Sequence, residues 1–531
     1  MIGSKKIIKG AALSLSIVAC SIATAAPKQP NVLFILVDDL GWNDIGCMGS
    51  EYYETPNIDK LSARGVTFTN AYAACQVSSP SRASILTGQY TTNHGITNFL
   101  GAPTALKWRT KNRFTKMIPP EYTENLPHDD STLPEYLNEC GYKTFMAGKW
   151  HLGGEGSHPE DHGFEVNKGG WDSGGPSGGY FSPWNNPKLP NEEAGENLSM
   201  RLGRETVDFI AEHTKQNKKQ PFFAYLSFYA VHSSIQTSEE KWQYFREKAE
   251  KMGIAEEGFV TRRAMPERQH QDNPVYAGLI QQMDDAIGLV LNSLEELGVD
   301  ENTLIIFTSD NGGVNSGDNF STSLKPLRGG KGTQWEGGIR VPLIISTPDN
   351  QGAGEKCDTP VSGIDFYPTI IDYIGLSQNT NQKIDGVSIT PLLDGDPIAE
   401  RALFWHYPHY GNQGGEPSGI VRKGEWKLIH YYEDDRLELY NLDIDISELE
   451  PLNHLYPEKV EELNAILATW LKETHAIMPT ADPEYSPQKE AQLKENWRTT
   501  FLKAREKERI NMLNPNWKPN ADWWGSKVTT D

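Results

Sequence analysis

The chain has 531 residues, with 71 acidic against 50 basic side chains, a formal charge of −21 and a pI near 5.1. Nucleic acid is excluded as a partner class, because phosphate binding needs a basic footprint that this composition lacks. A content of 37% hydrophobic and 10% aromatic residues also excludes a disordered chain, and at roughly 100–200 residues per domain the length predicts one large domain with one or two smaller ones.

Residues 1–26 read as a signal peptide. Lys5, Lys6 and Lys9 form a positive n-region, and Ala11–Cys20 (AALSLSIVAC) is an apolar run well short of the roughly 18 residues that a membrane span needs. Cleavage after Ala25 or Ala26 fits the small-residue rule. Ile17-Val18-Ala19-Cys20 also fits a lipoprotein box with lipid on Cys20, which is the second reading. The expectation is export, periplasmic or secreted, with no transmembrane segment. Loss of the three lysines takes the charge to about −24.

Apolar runs with the look of buried parallel strands follow: Val32–Val37 (VLFILV), Lys143–Ala147, Phe222–Phe228 (FFAYLSF), Thr303–Phe307 (TLIIF) and Val341–Ser346. Between two of them Leu279, Met283, Ile287, Leu291 and Leu294 recur at helical spacing, an amphipathic helix ending at Gly298. Strand and helix in alternation predict an α/β fold with a large, mostly parallel central sheet flanked by helices. Ligands of such sheets bind beyond the carboxyl ends of the strands. Two polar clusters stand there, Asp38-Asp39 after the first run and Ser309-Asp310-Asn311-Gly312 after the fourth.

Past Asp394 the pattern changes to short antiparallel strands at Ile420–Arg422, Lys427–Tyr432 and Leu437–Tyr440, with a turn at Lys423-Gly424-Glu425 and a helix over Lys459–Thr474. This predicts a smaller C-terminal α+β subdomain. The resulting division is 1–26 signal peptide, 27–395 catalytic domain, 396–478 subdomain and 479–531 tail. The tail holds Trp497, Trp517, Trp523 and Trp524, too much aromatic surface to leave in water, and is expected to pack on the body or cap a partner. The five cysteines (Cys20, Cys47, Cys75, Cys140, Cys357) match no zinc spacing and are too sparse for a disulfide framework, so buried free thiols are favoured over a single disulfide.

The most informative stretch is Ser78-Ser79-Pro80-Ser81-Arg82-Ala83-Ser84-Ile85-Leu86-Thr87-Gly88, several hydroxyls beside an arginine at the start of a helix, where backbone amides favour an anion. A Ser-rich helix cap would have the same residues. The string resembles the signature of the formylglycine-dependent (type I) sulfatases, (Cys or Ser)-x-Pro-Ser-Arg followed by Leu-Thr-Gly, in the Ser-type form of bacterial members. Six further blocks resemble the family in its order: Asn31–Trp42, Thr55–Leu61, Gly148–Gly153 (GKWHLG), Ser309–Gly312, Leu327–Pro342 and Asp385–Gly395. The resemblance implies an alkaline-phosphatase-like α/β domain and an exported enzyme that hydrolyses sulfate esters, with sulfated carbohydrate as substrate.

It further implies that Ser78, the only candidate with Pro two places on and Ser-Arg after it, is oxidised to formylglycine by a sulfatase-maturating enzyme, and that Cys75 is not. One oxygen of the hydrated aldehyde would attack sulfur and displace the alcohol, and the other would expel sulfate. Asp38, Asp39, Asp310 and Asn311, with the group made from Ser78, would hold calcium; oxygen ligands suit a hard ion, and adjacent carboxylates repel without one. Arg82, Lys149 and Lys331 would gather around the sulfate oxygens. His151 matches the base of sulfate elimination. His232, with Lys331, matches the acid for the leaving alcohol and a substrate contact, although Val231-His232-Ser233-Ser234 lacks the prolines many relatives have there.

Two loops stay open between roles. Phe404–Tyr410 (FWHYPHY) brings His406 and His409 either to a sugar face or into a packed aromatic junction, and Gly169–Gly179 (GGWDSGGPSGG), with Trp171 and Asp172, is either a pocket wall or a surface loop. Two other functions share these residues: a phosphodiesterase or phosphonate hydrolase, and a sulfated-glycan-binding protein whose Ser78 is never modified. The charge of −21 speaks to solubility rather than to the site, which sets its own field.

Overall fold

The structure is a computed structural model that describes residues 29–110, 114–129, 131–262, 265–377 and 382–518. The signal peptide at 1–26, Cys20, Trp523 and Trp524 lie outside the described residues. An eight-stranded sheet contains β1 (Asn31–Val37), β2 (Val66–Phe68), β3 (Lys143–Gly148), β4 (Val166–Lys168), β5 (Phe222–Ser227), β6 (Thr303–Ser309), β7 (Leu343–Ser346) and β8 (Lys356–Cys357). Their spatial order is β8-β2-β7-β6-β1-β5-β3-β4.

β1 lies between β5 and β6, parallel to both, with Leu36 opposite Ser227 and Val37 opposite Ser309. β3 is parallel to β5, with Gly148 opposite Ser227. Four strands therefore finish at one edge of the sheet. β7 departs from the expectation of a parallel strand at Val341–Ser346, because it is antiparallel to both β6 and β2. The chain between β6 and β7 stays at the edge where β6 ends, Lys331 N–H donating to Gly313 O and Gly312 N–H to Gly338 O, so the next strand must run back from there.

β1 is apolar throughout because both of its faces are covered. Val32, Phe34 and Leu36 point into a core shared with Leu133 and Leu137 of α2 (Leu133–Glu139) and with Ala83, Ile85 and Leu86 of α1 (Ser78–Thr87). Leu33, Ile35 and Val37 point into the opposite core, under α3 (Leu198–Asn217) and α4 (Pro274–Glu296). α4 begins a turn earlier than its apolar spacing suggests, because Asn273 accepts from the Val275 and Tyr276 N–H groups and Pro274 occupies the first turn.

The C-terminal region forms a four-stranded antiparallel sheet of β9 (Ala402–Tyr407), β10 (Ser418–Lys423), β11 (Trp426–Tyr431) and β12 (Arg436–Asn441). Its first strand is most of the segment read as an aromatic loop. Alternation explains the two faces: Leu403, Trp405, Ile420 and Ile429 pack on Tyr72, Trp335 and Ile339 of the main body, while Val421, Leu428 and Leu439 pack under α5 (Pro457–Glu473). In the tail, Trp517 packs on Trp242 with ring centroids 5.4 Å apart, and Arg509, fully buried, reaches Asp272 at 2.5 Å. Cys47, Cys75, Cys140 and Cys357 are all free thiols. Among the described residues no helix is long and apolar enough to cross a membrane.

A buried ionic triad fastens the second sheet to the main body. Lys427 Nζ lies 3.0 Å from Glu336 Oε1 and 2.7 Å from Glu448 Oε1, and none of the three is exposed. Burial pushes the Glu336 carboxyl up, but Lys427, Arg340 and Arg422 outweigh it and hold it at about 2. Replacing Lys427 by Met leaves Glu448 buried without its cation and Glu336 with only Arg340 and Arg422 at longer range. Denaturant unfolding of this variant is expected to show a loss of about 3–5 kcal/mol.

Candidate functional site

The shared strand edge assembles the polar residues. Asp38 and Asp39 follow β1, Lys149 and His151 follow β3, His232 follows β5, and Asp310 and Asn311 follow β6. α1 enters this edge with its N-terminus, so Ser78 and, one helical turn on, Arg82 share the face that looks along the strands. The helix stops at Gly88, which takes φ 70° and donates to Ser84 O. Asp385 and Gly386 N–H both donate to Gly88 O, which gives the Asp385–Gly395 block its place. Gly332 N–H donates to Gln76 O and carries Lys331 over the Ser78 turn.

Charges of opposite sign interleave here. Arg82 Nε lies 2.8 Å from Asp310 Oδ2, and Arg82 NH1 donates to Ser227 Oγ at 2.7 Å and Lys149 O at 3.1 Å. Lys149 Nζ sits 2.7 Å from Asp38 Oδ2 and 3.4 Å from Ser78 Oγ. Lys331 Nζ is 2.8 Å from Asp39 Oδ2, and His232 Nε2 is 3.8 Å from that same oxygen. Asp38, Asp39, Asp310 and Lys149 are fully buried.

Two of these residues sit in a backbone region that side chains rarely occupy, Asp39 at φ 64° and His151 at φ 55°. At Asp39 the turn directs its own N–H to Asp310 Oδ1 at 3.1 Å. The His151 ring is bounded by Ser79 Oγ, 3.2 Å from Nδ1, and by the glycine-rich loop. That loop is a wall of the site: His151 N–H donates to Trp171 O, and a Cβ added to Gly174 would meet His151 Cε1 at 2.4 Å.

Burial dominates the titration of the site. It pushes Asp38 well above the usual carboxylate range, with Asp310 and Asp39 adding to the rise, and it pushes Lys149 down. Burial also lowers His151 far below its ordinary value, with Lys149 and Arg82 in the same direction, so its imidazole is neutral. Burial and then Lys331 hold His232 at about 4. Lys331 goes the other way, because Asp39 and Asp318 outweigh its burial.

The donor set fits a hard divalent cation. Asp38 Oδ1 and Asn311 Oδ1 are buried acceptors without a hydrogen-bond partner, beside Asp39 and Asp310, and all four side chains offer oxygen. Three carboxylates and three cations leave the residues balanced, so a dication leaves the site positive and ready for an anion.

Of the residues read from the sequence, Ser78, Arg82, Lys149, His151, His232, Lys331, Asp38, Asp39, Asp310 and Asn311 come together. His406 and His409 do not. As part of β9 and the turn after it, His406 is 2% exposed and bonds Tyr432 Oη and Ile477 O, and His409 is fully buried with Nε2 on Thr97 Oγ1. Of the two readings left open for them, substrate contact is corrected to the packed junction, since both rings are buried and bonded to protein groups. Cys75 is buried, which pushes its thiol up to about 12. Ser79, Ser227 and Asp318 escape notice in the sequence. Of these Ser79 stood within the Ser78–Gly88 stretch and Ser227 within the Phe222–Phe228 run, but neither was given a role, and Asp318 had no signal.

The chain matches the family described as Sulfatase over residues 30–376, and the family described as N-sulphoglucosamine sulphohydrolase, C-terminal, over residues 330–476. It is 30% identical to a sulfatase of Formosa agariphila, over 89% of this chain and 94% of that one. It is 31% identical to the N-acetylgalactosamine-6-sulfatase of Canis lupus familiaris, over 80% and 76%. The crystal structure of Ps i-CgsB in complex with k-i-k-neocarrahexaose superposes with a TM-score of 0.68 at 26% identity, covering 90% of this chain and all of that one.

If the site takes a hard divalent cation such as calcium, that ion at a hundredfold excess over its dissociation constant is expected to stabilise the fold by about 2.7 kcal/mol, read as a rise in thermal midpoint that a chelator reverses. Asp39→Asn keeps a residue type that tolerates the left-handed backbone but removes one ligand charge. The variant should lose most of the calcium-induced rise, and a full rise would remove Asp39 from the ligand set.

Proposed function

The chain belongs to the sulfatase family and is a sulfuric ester hydrolase, and from that premise we propose that it cuts sulfate esters on carbohydrate, using a nucleophile made from Ser78 and a bound calcium ion. The observation that carries the reading is Ser78 at the head of a buried helix, 3.4 Å from Lys149 Nζ, with Arg82 one turn on and three carboxylates beyond. Sugar as substrate is supported by the canine relative, an N-acetylgalactosamine-6-sulfatase, and by the neocarrahexaose in the Ps i-CgsB complex. In this reading residues 27–395 are the catalytic domain, 396–478 the subdomain and 479–531 a tail on the body, and the chain is exported by residues 1–26.

Oxidation of Ser78 by a sulfatase-maturating enzyme supplies an aldehyde hydrate, whose one hydroxyl attacks sulfur while the other later expels sulfate. Calcium held by Asp38, Asp39, Asp310 and Asn311 supplies positive charge at the nucleophile and at the sulfate oxygens. Lys149 holds the oxygen of residue 78 and, with Arg82 and Lys331, meets the charge that develops on the sulfuryl group. Arg82 NH2, buried and without a hydrogen-bond partner, has donors to give. His151, neutral, takes the proton of the hydroxyl that expels sulfate. His232 would hand a proton to the departing alcohol with Lys331 beside it, but since burial holds its resting ring neutral it must first take up that proton during the reaction.

The test is turnover after co-expression with a maturating enzyme. Mass spectrometry should find two hydrogens lost at Ser78, and the enzyme should prefer the sulfate over the phosphate ester of one phenol. Ser78→Ala should fall to background with calcium binding retained, whereas Ser78→Cys should regain activity in a host with an aerobic converting enzyme. A phosphate preference, or wild-type rate in Ser78→Ala, would sink the reading. Gly174→Ala forces His151 aside and is expected to lower kcat/KM by about 10²-fold at an unchanged thermal midpoint.

A further inference from the structure

Away from the strand edge, three potential metal ligands converge on the far side of β3. His128, Glu135 and His162 each place one donor atom within 4.8 Å of the others. Glu135 lies in the first turn of α2, His162 ends the turn Pro159–His162, and His128 stands on the segment after Leu126. We propose that this cluster is a second metal site, one that takes a zinc-like divalent transition metal through two imidazoles and one carboxylate.

The hydrogen bonds around the two rings leave the same nitrogen free on each. His128 Nε2 lies 2.8 Å from Gly156 O. A carbonyl can only accept, so the proton is on Nε2 and the lone pair of Nδ1 is open. His162 Nε2 lies 2.9 Å from Ser157 Oγ, and that oxygen has Leu126 O at 3.3 Å to receive its own hydrogen. Ser157 thus accepts from His162 Nε2–H, and Nδ1 is again the bare nitrogen. It is a buried polar atom without a partner on a side chain with 0% exposure. An imidazole held by one N–H and open at the other nitrogen is the form in which histidine binds metal.

Glu135 closes the set. Its Oε2 accepts from Thr132 N–H and Oγ1–H, both at 2.7 Å, which fixes the carboxyl and leaves the other oxygen for an ion. The two rings stack with centroids 4.3 Å apart and planes 8° off parallel. His128 is exposed, so its ring is free to turn out of the stack toward an ion, at the cost of the stack and of part of its bond to Gly156 O. Nitrogen donors with one carboxylate suit zinc, with water in the fourth position, and do not suit calcium. The chemistry is thus distinct from the all-oxygen set of Asp38, Asp39, Asp310 and Asn311.

An ion here would join three segments that enclose the Lys149–Ser157 loop. Leu126 N–H donates to Leu152 O at 2.7 Å, and Trp150 Nε1–H donates to Ser157 O at 2.7 Å. Those bonds lie on either side of His151, so the ion would stiffen the loop that carries it.

The full chain, in excess calcium, is titrated with zinc chloride by calorimetry, with metal analysis after desalting and a thermal midpoint with and without zinc. One zinc per chain and a raised midpoint are expected. His128→Ala and Glu135→Gln should each bind at least about tenfold more weakly, with one zinc fewer after desalting and an unchanged zinc-free midpoint. Equal zinc content in the wild type and His128→Ala, or no zinc in the wild type, would overturn the site. None of these readouts depends on turnover, so the site stands or falls separately from the proposed function.

Discussion

Three carboxylates buried at one edge of a sheet are tolerable only because three fixed cations stand among them. Each pairing has its own geometry: Arg82 with Asp310 at 2.8 Å, Lys149 with Asp38 at 2.7 Å, Lys331 with Asp39 at 2.8 Å. In so dry a place an unpaired charge would be costly, and the pairing positions each side chain more strictly than packing alone would. In the proposed function the residues that neutralise the carboxylates would also meet the incoming anion, so stability and anion recognition would rest on one set of contacts. A dication added to a balanced set would convert it from neutral to positive, and would share carboxylate oxygens that Lys149, Lys331, Arg82 and Asn311 now contact.

The fold supports this arrangement from two directions. Parallel strands with matched ends bring residues far apart in sequence to one line, with Val37 opposite Ser309 and Leu36 opposite Ser227. The second sheet supports Lys331 from behind. Trp405 and Ile420 pack on Trp335 and Ile339 of the Leu327–Pro342 segment, and a Cβ at Gly415 would fall 1.8 Å from Gly332 O. Backbone thus lies directly on backbone beside Lys331, and the ionic triad of Glu336, Lys427 and Glu448 keeps the two layers together.

The strand edge was legible in the sequence because its signals are local: an apolar run followed at once by Asp-Asp or Asp-Asn. The direction of β7 was not, because an apolar run looks the same either way and only the path of Asp310–Pro342 decides it. Phe404–Tyr410 left two readings open for a related reason. Its aromatic and histidine residues suggest a sugar-stacking loop, yet alternation along a strand buries Trp405 on one face and sets His406 against Tyr432. Ser79 and Ser227 were hidden because a serine's role depends on which side chain arrives opposite it. The glycine-rich loop lacked any signal of its partner, and its closeness to His151 exists only in three dimensions.

The net charge of −21 gains its meaning from this geometry. An acidic surface opposes binding of a polyanion along its length, since that interaction sums over many distant charges that salt screens. The field inside the strand edge is set instead by groups within a few ångströms, in a buried environment where screening is weak. In the proposed function Arg82, Lys149 and Lys331 would act there on one sulfuryl group, at a range where the acidic exterior contributes little. On that reading the two fields together would favour a single sulfate at the strand edge over a sulfated polymer adhering to the outside.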